Sequence, residues 1–483
     1  MDLDNFTGME CQGVTDALLA AKLSRSLERP RPETDGRFQR AIRLGDAHGT
    51  YRQKLETRYE ALRTAVWWFD DYNELNSSYD AFEALVIESD HAIDLEFLSN
   101  LLQLLYNAVI HGNFTCEQCD LDARAARLKT RLEAVAANKD RPNNALWART
   151  LQLIGRINAA MLAGDRDAIP PIWPEFSKIL AEARGLGEFE ATRLVKLIEA
   201  VGSAAGNDPA YNALIEEVAD FVSERTGEAE GALVLLTRAQ KLDLDNHFEM
   251  IRLLGKAARQ LTKKEYAEKL IEALQLLSLA YRSAGLLWAA RATSIFAAAS
   301  IVIEGEADSQ IDVAIVATIE LMARTALELR HLPDFLQAVQ LLNGCLKALP
   351  LAEESKELLK DRLLTFDMAL GSYFLNFQPD ELRQVEGVPD ILQALGLFTA
   401  RFALLYALGY EDHLRTDGSL PAGESEEALQ AMVKRLASQP VTDDIRGPLI
   451  TNRPGHRRLQ STVMGMTVEV VFEGTTTATC GFR

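Results

Sequence analysis

The feature that most constrains this 483-residue chain is the spacing of its apolar side chains. From residue 51 to about residue 438, apolar residues recur every three or four positions, which is the period of a helix with a buried face. The period-two alternation of β-strands is nearly absent there. Gly and Pro are sparse, at 29 and 15 residues, which fits long helices joined by tight turns. The pattern predicts an all-α fold.

The clearest helical hairpin is predicted at residues 262–303. Thr262 and Glu265 have the spacing of a capping box, and Gly285 can adopt the left-handed conformation that commonly ends a helix. An alanine-rich helix follows at once, and its small side chains allow neighbouring backbones to approach closely. Similar helix pairs are predicted at 144–162 with 168–183, 189–204 with 209–225, and 311–330 with 334–349.

A series of such hairpins, each burying its apolar face against its neighbours, is typical of an α-solenoid. We therefore expect an α-solenoid of antiparallel helical hairpins with a short β-prone C-terminal tail. We expect an N-terminal helix with a charged linker at residues 1–50. The helical-repeat region should follow in two halves, 51–225 and 226–440, and an irregular tail should occupy 441–483. The tail contains one predicted strand at 467–474 with no obvious partner. That lone strand suggests a fragment of a longer protein.

Residues 274–302 resemble one unit of the tetratricopeptide repeat. The family's large residues in the first helix correspond to Leu277 and Tyr281. Its turn residue corresponds to Gly285, and its small residues in the second helix correspond to Ala290 and Ala297. The next segment is similar in outline, with Ala338 at a small position and Pro350 where the family often ends a repeat. The resemblance is best over residues 274–350. Three positions depart from the family's usual residues, namely Ser278, Ser294 and Val302.

The charge balance limits the classes of partner. Lys and Arg number 51 against 70 Asp and Glu, so the formal net charge is −19. Nucleic acids and anionic membranes are bound through Lys and Arg, so we expect neither, and a protein or peptide partner should be basic or neutral. The acidic N-terminus is unlike a secretory signal, and the apolar stretch 292–303 is shorter than the roughly 20 residues of a membrane helix. With five scattered cysteines, these features favour a cytoplasmic protein.

Few residues have the types and the spacing of a metal-binding or catalytic site. His111, Cys116 and Cys119 offer three soft ligands near a helix start, but zinc needs a fourth, so turn thiols are the favoured interpretation. Residues 243–247 collect carboxylates, an amide and an imidazole, yet Asp and Asn are also preferred helix caps. Nucleotide-binding glycine loops, zinc-protease motifs and serine-hydrolase elbows are absent from the sequence. We expect no enzyme activity, no metal and no cofactor.

An aromatic cluster stands out in a chain with only 7% aromatic residues. Trp67, Trp68 and Phe69 are consecutive and Tyr72 follows. Three consecutive aromatic residues on a helix cannot all face one core, so Trp67, Trp68 and Tyr72 are candidates for a partner contact. Packing between repeats is the favoured alternative, and the same reasoning places Trp288 in the core.

These patterns predict a non-catalytic scaffold whose helical repeats bind a peptide or protein segment on a concave face. The alternative is a helical sensor or scaffold region of a larger multidomain bacterial-type enzyme, with its catalytic domain outside this chain. The least favoured hypothesis is an enzyme whose active site is the cluster at His111 to Cys119 or residues 243–247.

Overall fold

The computed structural model describes residues 10–187, 189–308, 313–416, 426–438, 457–463 and 466–472. The chain divides into two compact units, Met1–Lys241 and Leu242–Arg483. In the described residues both units are helical, apart from one β-hairpin in the second. The prediction of a helical, repeat-like chain is thereby confirmed at the level of secondary structure.

The described residues of the first unit form twelve α-helices. Most of these helices pack on the preceding or following helix in the chain, as expected for consecutive hairpins. Their bounds are α1 (Glu10–Ser26), α2 (Arg31–His48), α3 (Tyr51–Phe69), α4 (Tyr72–Val86), α5 (Ala92–Ile110), α6 (Leu121–Ala136), α7 (Pro142–Ala163), α8 (Trp173–Arg184), α9 (Ala191–Ala200), α10 (Gly202–Ala205), α11 (Pro209–Thr226) and α12 (Glu228–Gln240).

The described residues of the second unit form eleven α-helices and two strands. Helices α13 to α18 follow the same neighbour-to-neighbour packing, and α18 also contacts α21 and α23. The bounds are α13 (His247–Gln260), α14 (Ala267–Ser283), α15 (Leu287–Asp308), α16 (Ala314–Glu328), α17 (Leu332–Ala348), α18 (Glu353–Asn376), α19 (Pro379–Leu382), α20 (Pro389–Ala394), α21 (Phe398–Ala407), α22 (Glu411–Thr416), α23 (Glu426–Ala437), β1 (Arg457–Val463) and β2 (Met466–Phe472).

The two strands form an antiparallel hairpin, with Arg457 opposite Phe472 and Val463 opposite Met466. The expectation of a single strand without a partner is wrong, because β1 pairs with β2 along its whole length. The sequence of β1 contains only two apolar residues, so its alternation is too weak to indicate a strand.

The N-terminal region contains a helical hairpin, whereas the sequence predicts one helix and a charged linker there. Pro30 is the N-cap residue of α2 and Pro32 lies in its first turn, where a missing backbone N–H breaks no helical hydrogen bond. The hydroxyl groups of Ser24 and Thr34 lie 3.1 Å apart in the buried contact between α1 and α2. The linker prediction is wrong because these prolines begin a helix instead of interrupting one.

The hairpin predicted at 262–303 is formed by α14 and α15. Gly285 has a φ angle of +73°, the left-handed conformation expected at the end of α14. The Ser278 hydroxyl donates a buried hydrogen bond of 2.8 Å to the Ala290 carbonyl, so small residues bring the two backbones together. The predicted capping box is absent, because a 3-10 turn at Lys264–Tyr266 occupies that segment and α14 starts only at Ala267.

Side-chain contacts between alternate helices recur at a similar sequence spacing in both units. Arg124 of α6 donates to Asp80 of α4 over 3.0 Å, 44 residues away, and Gln275 of α14 donates to Thr318 of α16 over 2.7 Å, 43 residues away. Spacings of 42 to 46 residues also separate Arg52–Asp94, Arg127–Glu83, Arg282–Glu328 and Arg291–Asp334. Contacts between α1 and α3 have a shorter spacing, 34 residues for Lys22–Glu56 and 35 for Arg25–Glu60, which is close to the 34 of a tetratricopeptide unit. The length of a helix pair therefore varies along the chain.

Candidate binding groove

Helices α5, α6 and α7 of the first unit enclose an open groove of about 370 Å³, called here the α5–α7 groove. Helix α5 forms its floor with Leu102 and Tyr106, while α6 and α7 form its walls. The apolar wall residues are Leu128, Leu132 and Leu151. Burial raises the pKa of the Tyr106 hydroxyl, so this side chain is neutral at ordinary pH.

The groove exists because α7 carries small residues on the side that faces it. Gly155 has no side chain and Ala159 contributes only a methyl group, so the wall of α7 is recessed there. A Cβ atom built on Gly155 would meet no other atom within 4 Å. In the sequence Gly155 is only a glycine within a helical pattern, and its role depends on where α5 and α6 lie.

The rim of the groove carries polar groups that the fold does not use. Gln103 lies on α5, and Gln152 and Asn158 lie on α7. Their side-chain amides make no hydrogen bond to any other residue in the described part of the chain. Each amide can both donate and accept, so these three groups can recognise the backbone or polar side chains of a bound segment.

A second depression of about 480 Å³ lies between α7 and α8 and shares Gln152 and Arg156 with the α5–α7 groove. Arg156 pairs with Glu175 at 2.7 Å. Together the two depressions are lined by four basic side chains, Lys129, Arg149, Arg156 and Lys178, and two acidic ones, Glu133 and Glu175. This local balance differs from the strongly negative net charge of the whole chain.

The floor of the groove is held by a buried ion pair. Glu96 of α5 accepts a hydrogen bond of 2.8 Å from the Trp147 indole N–H of α7, and it pairs with Arg193 of α9 at 2.6 Å. Burial raises the pKa of Glu96, although the positive charge of Arg193 partly opposes this effect. These contacts fix α5 and α7 relative to each other at one end of the groove.

The aromatic cluster lies outside the groove, where α3 ends and α4 begins. Trp67 is 64% exposed and Trp68 is 42% exposed, although the Arg25 guanidinium lies 4.5 Å from the centre of the Trp68 ring. Tyr72 is half-buried. The expectation that Trp67 packs between repeats is therefore wrong. A role of Trp67, Trp68 and Tyr72 in partner binding stays a prediction. The expectation for Trp288 is also wrong, because it is 43% exposed.

The weak metal candidates do not form a site. Cys119 is buried and burial raises the pKa of its thiol, which disfavours the thiolate that binds metals. His111 is exposed and Cys116 is half-buried. Throughout the described ranges, no group of three or more His, Cys, Asp and Glu side chains could hold a metal ion. Asp243 and Asn246 occupy the N-cap positions of a 3-10 turn and of α13, as the capping interpretation expects, but neither makes a side-chain cap hydrogen bond.

One described helix has the length and composition of a membrane span. The segment is Leu287–Gly305 of α15, and only 22% of it is buried within the chain. It is longer than the apolar stretch 292–303 that is visible in the sequence.

Comparisons with known proteins identify no family for this chain. No family model matches the chain. No curated protein matches it in sequence. Among solved structures, it is similar to a "Circular tandem repeat protein with novel repeat topology and enhanced subunit contact surfaces", at 14% identity over 89% of this chain and 94% of that one. The TM-score is 0.22, which is too low to support an argument about fold or function.

Proposed function

We propose that this protein is a non-catalytic interaction module built from helical repeats, and that the α5–α7 groove binds an apolar segment of a partner protein. The observation that carries this proposal is a recessed apolar floor bordered by amides that the fold leaves unused. Binding sites for other molecules commonly combine an apolar lining with a few polar groups that set orientation. A volume of about 370 Å³ lies within the range of such sites.

The lining also indicates the chemistry of the segment. Apolar side chains of the partner would fill the floor over Leu102 and Tyr106, and the amides of the rim would hydrogen-bond to its polar groups. The charged side chains that line the α5–α7 groove are paired, Lys129 with Glu133 at 3.8 Å and Arg156 with Glu175 at 2.7 Å, so we propose a neutral segment as the ligand. Binding driven by apolar contact should depend little on salt, unlike binding steered by opposite net charges.

We further propose that each unit is a solenoid of two-helix repeats. The neighbour-to-neighbour packing of the helices supports this architecture. The tetratricopeptide resemblance fits the α14–α15 hairpin, where Ala290 and Ala297 are fully buried and Leu277 is nearly so. The spacing of 42 to 46 residues seen between α3 and α5 and between α14 and α16 favours a repeat longer than the tetratricopeptide unit in those parts of the chain.

Filling the groove tests the proposed function. Peptides of twelve residues are selected from a random display library with the wild-type chain as bait, and their dissociation constants are then measured by fluorescence anisotropy. Gly155→Trp places an indole in the open groove, so we expect roughly tenfold weaker binding or more, as for loss of a contact worth about 1.4 kcal/mol. Gly344→Trp is the matched control, since Gly344 is also an exposed helical glycine with no atom within 4 Å of an added Cβ.

Two results would contradict the proposal. One is a selected peptide set that binds Gly155→Trp as tightly as the wild type. The other is an equal loss of binding in Gly344→Trp, which would indicate a general effect of added tryptophan. Raising NaCl from 50 to 500 mM should change the dissociation constants by less than about threefold.

A further inference from the structure

Helix α15 is apolar on two opposite sides. Its inner side packs on α14 and α16, with Ala290, Ala297 and Ile301 almost completely buried. Its outer side carries a second apolar row, called here the α15 outer stripe, which consists of Ala292, Ile295, Phe296, Ala299, Val302 and Ile303. An apolar helix needs a partner on each apolar side, and the described part of this chain covers only one of them.

The stripe is continuous and uncharged. Phe296 is 56% exposed and Ile303 is 67% exposed, and every member of the stripe belongs to the exposed class. Residues 292, 295, 299 and 302 are separated alternately by three and four positions, which is the seam spacing of helices that pack along their length. Two of these seam positions are alanine, which lets a second helix approach closely. The stripe is therefore shaped for another helix.

We propose that the occupant of the α15 outer stripe is the same stripe of a second copy of this chain, with the two α15 helices antiparallel. With a two-fold axis between Ile295 and Phe296, Ala292 of one copy lies against Ala299 of the other. Ile295 and Phe296 then meet at the axis with the alanine pairs on either side of them, and Ile303 lies beside the N-terminal turn of the second α15.

The exposed area fits a weak, reversible dimer. Taking about 200 Å² for a large apolar side chain, the exposed fractions of the four large stripe residues give roughly 400 Å² of apolar surface on each copy, to which the two alanines add. The largest apolar patch on a monomer commonly has this size, and such patches often serve a function. Two copies would bury about 800 Å² or more through the stripe alone, which belongs to the range of weak, transient interfaces.

A membrane is a less suitable occupant, although Leu287–Gly305 is long enough to span one. Ala290, Ala297 and Ile301 on the inner side belong to the contacts with α14 and α16, so insertion of α15 would expose the core of the second unit. Surface adsorption usually relies on Lys and Arg around an apolar face, and α15 contains a single basic residue, Arg291, which pairs with Asp334.

Analytical ultracentrifugation of the full chain between 1 and 100 µM tests this proposal. We expect a reversible dimer that strengthens from 50 to 500 mM NaCl, because salt screens the repulsion between two chains of net charge −19. Phe296→Glu should raise the dimer dissociation constant at least roughly thirtyfold, because it places a charge in the centre of an apolar interface. Phe248→Glu is the matched control, since Phe248 of α13 is 66% exposed and lies outside the stripe. Its dimer should match the wild type.

Other outcomes would overturn the proposal. These are a monomer at 100 µM and a dimer that persists unchanged in Phe296→Glu. An equal loss of dimer in both glutamate variants would also overturn it, with circular dichroism confirming that both are folded. Flotation with neutral phosphatidylcholine vesicles tests whether the stripe binds a membrane instead. If the chain stays monomeric and Phe296→Glu alone abolishes vesicle binding, the stripe is a membrane contact and the dimer is refuted.

Discussion

Gly231 of α12 allows the close contact between α11 and α12, and replacing it with alanine should destabilise the first unit. A Cβ atom at this position would lie 2.4 Å from the Ala219 carbonyl oxygen and 2.0 Å from the Ser223 Oγ atom. The Ser223 side chain can rotate away, but the backbone carbonyl belongs to α11 and cannot. The methyl group can therefore be accommodated only if α12 moves away from α11.

The magnitude follows from two opposing effects. Alanine favours the helix by about 1 kcal/mol relative to glycine. Forcing an extra methyl group into a packed interface costs about 1–3 kcal/mol, and a contact this short belongs at the upper end of that range or above it. We expect Gly231→Ala to reduce the free energy of unfolding by about 2 kcal/mol. Gly155→Ala, in α7 of the same unit, should increase it by about 0.5–1 kcal/mol because its Cβ meets open space.

Urea unfolding followed by circular dichroism measures both variants. With a slope of about 2–3 kcal/mol per molar urea for a unit of this size, Gly231→Ala should lower the midpoint of the first unit by roughly 0.8 M. Gly155→Ala should raise it by roughly 0.3 M. If Gly231→Ala raises the midpoint as Gly155→Ala does, the reasoning from close backbone approach is refuted.

Two further predictions concern buried ionisable groups. Glu96→Ala should destabilise the first unit by about 2–4 kcal/mol in urea unfolding, because Arg193 and the Trp147 indole N–H lose their acceptor. Glu96→Gln should destabilise it less. Equal losses of stability in the two variants would contradict a role for the carboxylate charge. Burial lowers the pKa of His331 below 6.5, with Asp334 opposing and Arg291 reinforcing this shift. The unfolded chain therefore binds the proton first, so the stability of the second unit should fall as pH decreases from 7 through that lowered pKa. His331→Asn should flatten this fall in thermal unfolding, and an unchanged pH profile would show that other groups cause it.

Local sequence signals predicted those parts of the fold that depend on only a few neighbouring residues. Gly285 ends α14 because a left-handed residue is needed there, and this requirement is visible in the sequence. The start of the same helix differs from the prediction, because the second half of the expected capping box belongs to a 3-10 turn at Lys264–Tyr266. Pro30 and Pro32 suggest a linker in the sequence, but proline is equally common at the first turn of a helix, and here both lie at the start of α2. Such choices depend on packing beyond the local segment.

The candidate groove was not predictable from the sequence, because it is built from three helices. Gly155 and Gly231 are both glycines inside helical patterns, and nothing in the neighbouring residues separates an open position from a close backbone contact. The aromatic cluster was visible, but its exposure was not. Trp67 and Trp288 could be assigned to the surface only after the neighbouring helices were placed.

The sequence by itself determined that this chain is helical, because apolar spacing sets which residues share a helix face and glycine or proline sets where many helices end. Only the tertiary structure decided which of those faces became interior. Helix α15 shows the reason. Its residues are apolar on both sides, so periodicity cannot select one, and the positions of α14 and α16 bury Ala297 while they leave Phe296 exposed. Whether a residue is buried depends on which residues lie near it in space. The proposed binding surfaces are the apolar residues that these neighbours leave exposed.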